Sequence, residues 1–286
     1  MTLSRETAPP PRRKPRFKLP PGACDAHNHV FGPVATFPYA PGRRYTPEEA
    51  PKEALAALHA HLGIDRTVIV QASCHGTDNR AMLDAIASNP SRGRGIAIVD
   101  ESFTDKDFEA LHHGGIRGVR FNFVRHLGGA PEPGMFRRIL ARIKPLGWHV
   151  VLHLDGSDII PNRDLMRQLQ LPFVIDHMGR VESAAGTEQP AFQALLELAK
   201  LDHCWIKVCG SERISPPPYA AAVPFARALT ETSPDRVLWG TDFPHPNLNH
   251  VVDEADLVDL VPRFATTAAA QRKLLVENPA RLYGFA

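Results

Sequence analysis

The chain has 286 residues, 43% of them hydrophobic and 22% charged, with a formal net charge of +2. That length can bury a large core in one domain, the charge is too small to argue for nucleic acid, and no run of about 18 apolar residues suggests a membrane span. Four cysteines, Cys24, Cys74, Cys204 and Cys209, are too few for a disulfide scaffold and lack a Cys-X-X-Cys spacing. No signal-peptide core is visible either, so the expected location is the cytoplasm.

The first 20 residues are Pro-rich and basic, with Arg12, Arg13, Lys14, Arg16 and Lys18 close together, and are expected to form an irregular tail wrapped on a domain spanning 21–286. Short runs rich in Val, Ile, Leu or Phe then recur. They predict strands at 23–30, 66–73, 95–100, 118–124, 149–154, 173–177, 205–209 and 236–241. Amphipathic stretches at 47–61, 79–87, 105–113, 135–144 and 191–200 predict helices between them. Strand–helix alternation implies a parallel sheet, and eight such units at this length fit a single α/β domain, a closed (β/α)8 TIM-type barrel. No Gly-X-Gly-X-X-Gly turn follows the first strand, which argues against a doubly wound sheet holding a dinucleotide.

In such a barrel the site lies at the C-terminal ends of the strands, so polar residues there can be read together. In chain order they are His27 and His29, Ser73 and His75, Arg120 and Arg125, His153, His177, Arg213 and Asp242. Ionisable groups gathered at one end of an apolar barrel are costly unless paired or used. Ester hydrolysis would use all of them. Asp242 is the candidate base for a water. His27, His29 and His177 are suited to polarise a carbonyl, directly or through a metal. Arg120, Arg125 and Arg213 would clamp anionic groups through planar guanidiniums, with Ser73 and His75 adding hydrogen bonds. Cys74 is expected to face away from the site, because neighbouring strand residues alternate sides.

The segments Asp25-Ala-His-Asn-His-Val-Phe-Gly32, Ile175-Asp-His-Met-Gly-Arg180 and Trp239-Gly-Thr-Asp-Phe-Pro-His-Pro-Asn247 resemble the amidohydrolase superfamily, in particular its 2-pyrone-4,6-dicarboxylate lactonase branch. Further similarity lies in 71–79, 117–123 and 277–283, so the resemblance runs from about Pro21 to the end. It implies a (β/α)8 barrel that hydrolyses a small polyanionic lactone from aromatic-compound breakdown, with Tyr45 as a substrate contact. Two positions depart from the branch. His153 stands where a tyrosine is usual, and Arg125-His126 where a lysine precedes an arginine. The resemblance leaves open two versions of the chemistry. One is metal-free, as the branch is known for; the other has a single Zn²⁺ held by His27, His29, His153 and Asp242, as in single-zinc members of the superfamily. A 4-sulfomuconolactone or carboxylated muconolactone is the alternative substrate. A zinc-dependent aromatic-acid decarboxylase and a non-catalytic anion binder are the readings from other classes.

Overall fold

The computed structural model describes residues 13–286. Eight strands, β1 (Cys24–Asn28), β2 (Arg66–Val70), β3 (Gly93–Ala97), β4 (Ile116–Asn122), β5 (His149–His153), β6 (Phe173–Ile175), β7 (Cys204–Lys207) and β8 (Val237–Leu238), form one sheet in sequential order. Every neighbouring pair is parallel. Ala26 N donates to Trp239 O at 2.9 Å, Asp242 N to His27 O at 2.7 Å and His29 N to Phe243 O at 2.8 Å, which ties the end of β8 to β1 and draws the sheet into a barrel. All eight expected strands are present, most of them a few residues shorter than the sequence suggests, because the predicted runs extend into the loops that carry the polar residues.

Inside the barrel, Cys24, Ala26, Val68, Val70, Ile96, Val151, Val174 and Leu238 make one apolar cluster, joined by Tyr283 and Phe285 from the C-terminus. The other face of the sheet packs against the helices in a larger core. These are α1 (Lys52–Leu62), α2 (Arg80–Ala87), α3 (Asp105–His113), α4 (Pro133–Ile143), α5 (Gly156–Arg167), α6 (Pro190–Ala199), the short α7 (Ser211–Ile214), α8 (Val223–Thr232) and α9 (Glu254–Phe264). The start of α3 is set by a reciprocal cap, with Asp107 N donating to Thr104 Oγ1 and Thr104 N to Asp107 Oδ2. Helices α5 and α9 carry Pro161 and Pro262 in their interiors, which hides them from a periodicity reading.

Residues 13–20 have neither helix nor strand and lie along α9. Asp259 accepts from Arg16 N at 2.7 Å and Phe17 N at 2.9 Å, and Arg13 pairs with Asp259 at 2.7 Å and with Asp256. The rest of the expected tail, residues 1–12, lies outside the described residues. Among the described residues no helix is long and apolar enough to cross a membrane.

Candidate active site

Strand β1 delivers its histidines through an irregularity. Cys24 and Ala26 face the barrel interior, yet His27 and His29 reach it as well, and the pairing with β2 shifts register between Asp25 and Asn28. A bulge of this kind re-aims side chains at a strand end. Asp25, turned outward and fully buried, secures it by accepting from His27 N at 3.1 Å, Thr241 N at 3.0 Å and Thr241 Oγ1 at 2.6 Å, with His59 Nε2 at 3.0 Å. Gly240 lets β8 come close here. A Cβ at that position would sit 2.5 Å from His27 N.

The turn after β6 is equally specialised. His177, Met178, Gly179 and Arg180 all have φ between 48° and 64°, the left-handed region. Each non-glycine residue there costs about 1–2 kcal/mol, and such strain concentrates at functional sites. The turn sends His177 into the barrel, where its ring centroid lies 4.4 Å from that of His27 and 5.6 Å from that of His153. Asp242, at the end of β8, also has a left-handed backbone, with φ 61°.

Four sets of ionisable side chains converge at this end. Asp176, fully buried, has Oδ1 3.2 Å from both Lys207 Nζ and His27 Nδ1, and Oδ2 3.3 Å from Arg120 Nε. Burial alone would raise its pKa, but the Lys207 charge, with Arg120 adding to it, holds it well below the usual carboxylate range. Asp242, also fully buried, pairs with Arg213 and lies 3.3 Å from His29 Nε2 and 3.5 Å from His27 Nε2. Burial again opposes ionisation, and the Arg213 guanidinium overcomes it. Burial, helped by Lys207, lowers the His27 pKa to about 4, so its ring is neutral near pH 7. Burial likewise keeps His177 neutral and the Cys209 thiol protonated. Cys209 Sγ is 3.4 Å from His177 Nδ1; with the thiol assigned as the donor, the ring proton sits on Nε2.

The fourth group is a closed set of charges beside Arg213. His245 has Nδ1 3.7 Å from Glu212 and Nε2 3.4 Å from Glu254. Burial disfavours the imidazolium, but the two carboxylates prevail and raise its pKa to about 9. The charged ring therefore contributes stability in full below about pH 6.5, and that contribution is lost as pH rises through about 9. The urea midpoint of the wild type should fall between pH 6.5 and 9.5 by an amount equivalent to about 3 kcal/mol or less, and His245→Gln should abolish this dependence. An unchanged pH profile in the variant would show that the ring is not charged in the folded chain.

A cavity of about 290 Å³ opens on these groups, lined by His29, Tyr45, Ser73, Arg120, His126, Leu127, His153, His177, Arg180, Arg213, Asp242, Pro246, Asn247 and Leu248. A larger groove of about 570 Å³ between α4 and α5 is apolar and lies away from the histidines and Asp242. Of the residues expected from sequence, Tyr45, Ser73, Arg120, His153, His177, Arg213, Asp242 and His29 line the cavity, and His27 lies beneath His29 and His177. Arg125 does not line it. The 3-10 turn at 125–127 leaves Arg125 exposed and presents His126 instead. His75 is also turned away, under the loop at 38–43, with Nδ1 3.3 Å from Pro38 O and its ring edge-on to Tyr39. Lys207, Asp176, Arg180, Glu212 and His245 were not among the expected residues.

The donor set can hold a cation. His29 Nδ1 donates to Val70 O at 2.8 Å, which leaves Nε2 as an acceptor facing Asp242 Oδ1, also an acceptor. Two acceptors this close need a proton or a cation between them. His27 Nε2 and Asp242 Oδ1 have no hydrogen-bond partner, and the ligand atoms of His27, His29 and Asp242 lie within 4.8 Å of one another. Nitrogen and carboxylate donors of this kind suit one Zn²⁺. His153 is not brought into that group; its Nε2 faces Arg180 Nη1 at 3.5 Å. The other candidate groups already contain a protein cation, Lys207 beside Asp176 and the His245 imidazolium beside Glu212.

A family model described as Amidohydrolase matches residues 24–285. Among curated relatives, the 2-pyrone-4,6-dicarboxylate hydrolase of Comamonas testosteroni is 47% identical over 94% of this chain and 92% of its own. A 4-sulfomuconolactone hydrolase of Rhizobium radiobacter is 43% identical over 96% of each chain. Among solved structures, a protein of Acinetobacter baumannii described as a probable 2-pyrone-4,6-dicarboxylic acid hydrolase, with citric acid bound, superimposes with a TM-score of 0.82 at 29% identity, covering 92% of this chain and 100% of that one.

Proposed function

Since this chain belongs to the amidohydrolase family, we propose that it hydrolyses a small planar lactone bearing two acidic groups, 2-pyrone-4,6-dicarboxylate in first place and a 4-sulfomuconolactone in second. The observation that carries the reading is a buried carboxylate, Asp242, set beside the imidazoles of His27 and His177 in a cavity that three guanidiniums also line. A site built only to hold anions would use Asp242 to anchor Arg213, yet its other oxygen, Oδ1, faces two imidazoles and is free to take a proton. The Acinetobacter protein has citric acid, a polycarboxylate, bound, which is in keeping with a polyanionic ligand here.

In this reading Arg120 and Arg213 hold one acidic group of the substrate beside the reacting carbonyl and fix its plane, while Tyr45 and Ser73 supply hydroxyls at the mouth. His177, with its proton on Nε2, donates to the lactone carbonyl oxygen, where charge develops as water attacks. Asp242 accepts the proton of that water and returns it to the ring oxygen as the C–O bond breaks. The products are an enol, which becomes a ketone, and a new carboxylate. Arg213 holds Asp242 ionised but weakly basic, and an anionic substrate that shares the guanidinium makes Asp242 a stronger base at the moment it is needed. A Zn²⁺ held by His27, His29 and Asp242 would act as a Lewis acid on the carbonyl oxygen.

Loss of ring absorbance by the pyrone dicarboxylate on addition of purified protein tests the reaction. Measured before and after exhaustive chelation, the same assay separates the two versions of carbonyl polarisation. Turnover that falls at least about 100-fold on chelation and returns with zinc assigns that role to the ion, and unchanged turnover assigns it to the imidazoles. Absence of hydrolysis of both the pyrone and the sulfonated muconolactone would overturn the proposal.

A further inference from the structure

We infer that Arg180 is the residue that receives the second acidic group of the ligand, and that with His153 it forms a separate anion subsite at the mouth of the cavity. The inference deepens the lactonase reading by assigning one end of its substrate. Three guanidiniums line the cavity, and each is anchored through its Nε edge, Arg120 to Asp176, Arg213 to Asp242 and Arg180 to Asp155. Anchoring one edge of a guanidinium leaves the terminal nitrogens to meet a ligand in a fixed plane.

The three anchors differ in kind. Asp176 and Asp242 are fully buried among the histidines, so Arg120 and Arg213 belong to the reacting end. Asp155 has 36% of its side chain exposed and sits at the start of α5, with Arg180 Nε 2.8 Å away. Arg213 is further engaged by Pro246 O at 3.2 Å, whereas among the described residues the one hydrogen-bond contact of an Arg180 terminal nitrogen is Nη1 on His153 Nε2 at 3.5 Å. Donation from Nη1 to Nε2 puts the His153 proton on Nδ1, an atom that is buried and has no partner. That donor lacks a partner, and the ring that carries it lines the cavity beside Arg180.

The backbone supports a built site. Arg180 closes the left-handed run 177–180, and Gly156 at the start of α5 packs on this turn so closely that a Cβ would lie 3.2 Å from Val181 Cα. The loops after β5 and β6 are thus locked to one another, and the guanidinium and imidazole they carry are held in register. Arg213 and Asp242 approach from β7 and β8, so a planar ligand with its scissile carbonyl at His177 and Asp242 would extend toward Arg180.

Isophthalate, a flat ring with two carboxylates in meta positions and no ester, tests this without chemistry, with benzoate as its one-carboxylate partner. Calorimetric titration of the wild type should give tighter binding of isophthalate, and Arg180→Met should weaken isophthalate by about 10- to 100-fold while changing benzoate less than about threefold. Arg180→Lys keeps the charge without the fork and should fall between; it serves also if the methionine variant does not fold. Asp155→Asn should shift isophthalate in the same direction by a smaller factor. A folded Arg180 variant with the wild-type ratio of the two affinities would overturn the inference, as would a wild type that binds benzoate as tightly as isophthalate. Failure of lactone turnover counts against the reaction alone. Benzene-1,3-disulfonate in the same titration distinguishes a sulfonate-selective subsite from a carboxylate-selective one.

Discussion

Asp242→Asn should reduce kcat by about 10³- to 10⁴-fold, with a much smaller change in KM. The substitution preserves shape, removes the only carboxylate in the cavity lining, and so deletes proton acceptance from water and proton return to the leaving oxygen together. Substrate contacts through Arg120 and Tyr45 stay in place, which is why the loss belongs in kcat. Arg213 then keeps Glu212, 4.0 Å away, as its remaining carboxylate, and the chain should also unfold at lower denaturant concentration. Activity within about tenfold of the wild type would remove Asp242 from the mechanism. The depressed pKa adds a second expectation: no acid limb from Asp242 should appear in the pH–rate profile of the free enzyme between pH 5 and 8.

Lys207→Met should be the most destabilising single change at the site. Lys207 is fully buried, with Nζ 3.2 Å from Asp176 Oδ1 and 3.0 Å from His27 Nδ1. Removing one member of a buried charge pair costs about 3–5 kcal/mol, because the other is left without compensation. Arg120 offsets part of this through Asp176 Oδ2. Because Asp176 is ionised in the fold at a pH where the unfolded chain would be protonated, its contribution is present above about pH 4 and lost as pH falls further. Urea denaturation at pH 7 should therefore show a large shift of midpoint in Lys207→Met. The double variant Asp176→Asn/Lys207→Met should regain much of the stability but little activity, since His27 has lost both groups that orient it. A single variant as stable as the wild type would mean that water reaches Asp176.

Much of this architecture can be read from sequence because its signals are local. Eight apolar runs separated by helical stretches suffice for a barrel, and the spacing in His27-X-His29 places both rings on one side of a strand. The bulge that lets them share the interior with Ala26 has no such signature. Lys207 and Asp176 are harder still. Each is one charged residue at the end of an apolar run, and nothing in the order of residues says that β6 and β7 bring them to the same histidine. The exchange of Arg125 for His126 and the burial of His75 both follow from 3-10 turns, where a shift of one residue decides which side chain reaches the cavity. Arg180 lies within a recognised motif, yet its role depends on a run of left-handed residues that composition does not announce.

The seam between β8 and β1 has a kinetic consequence. Asp25 and Thr241 are 216 positions apart, and their hydrogen bonds join the strand that carries the imidazoles to the strand that carries the base. Such a long loop is closed only after the intervening strands have ordered, and contacts of this separation form slowly. Catalytic competence is therefore the last property the chain acquires. During refolding, helix content should recover first and hydrolysis should lag behind it, so turnover serves as a clock for the moment the cylinder shuts.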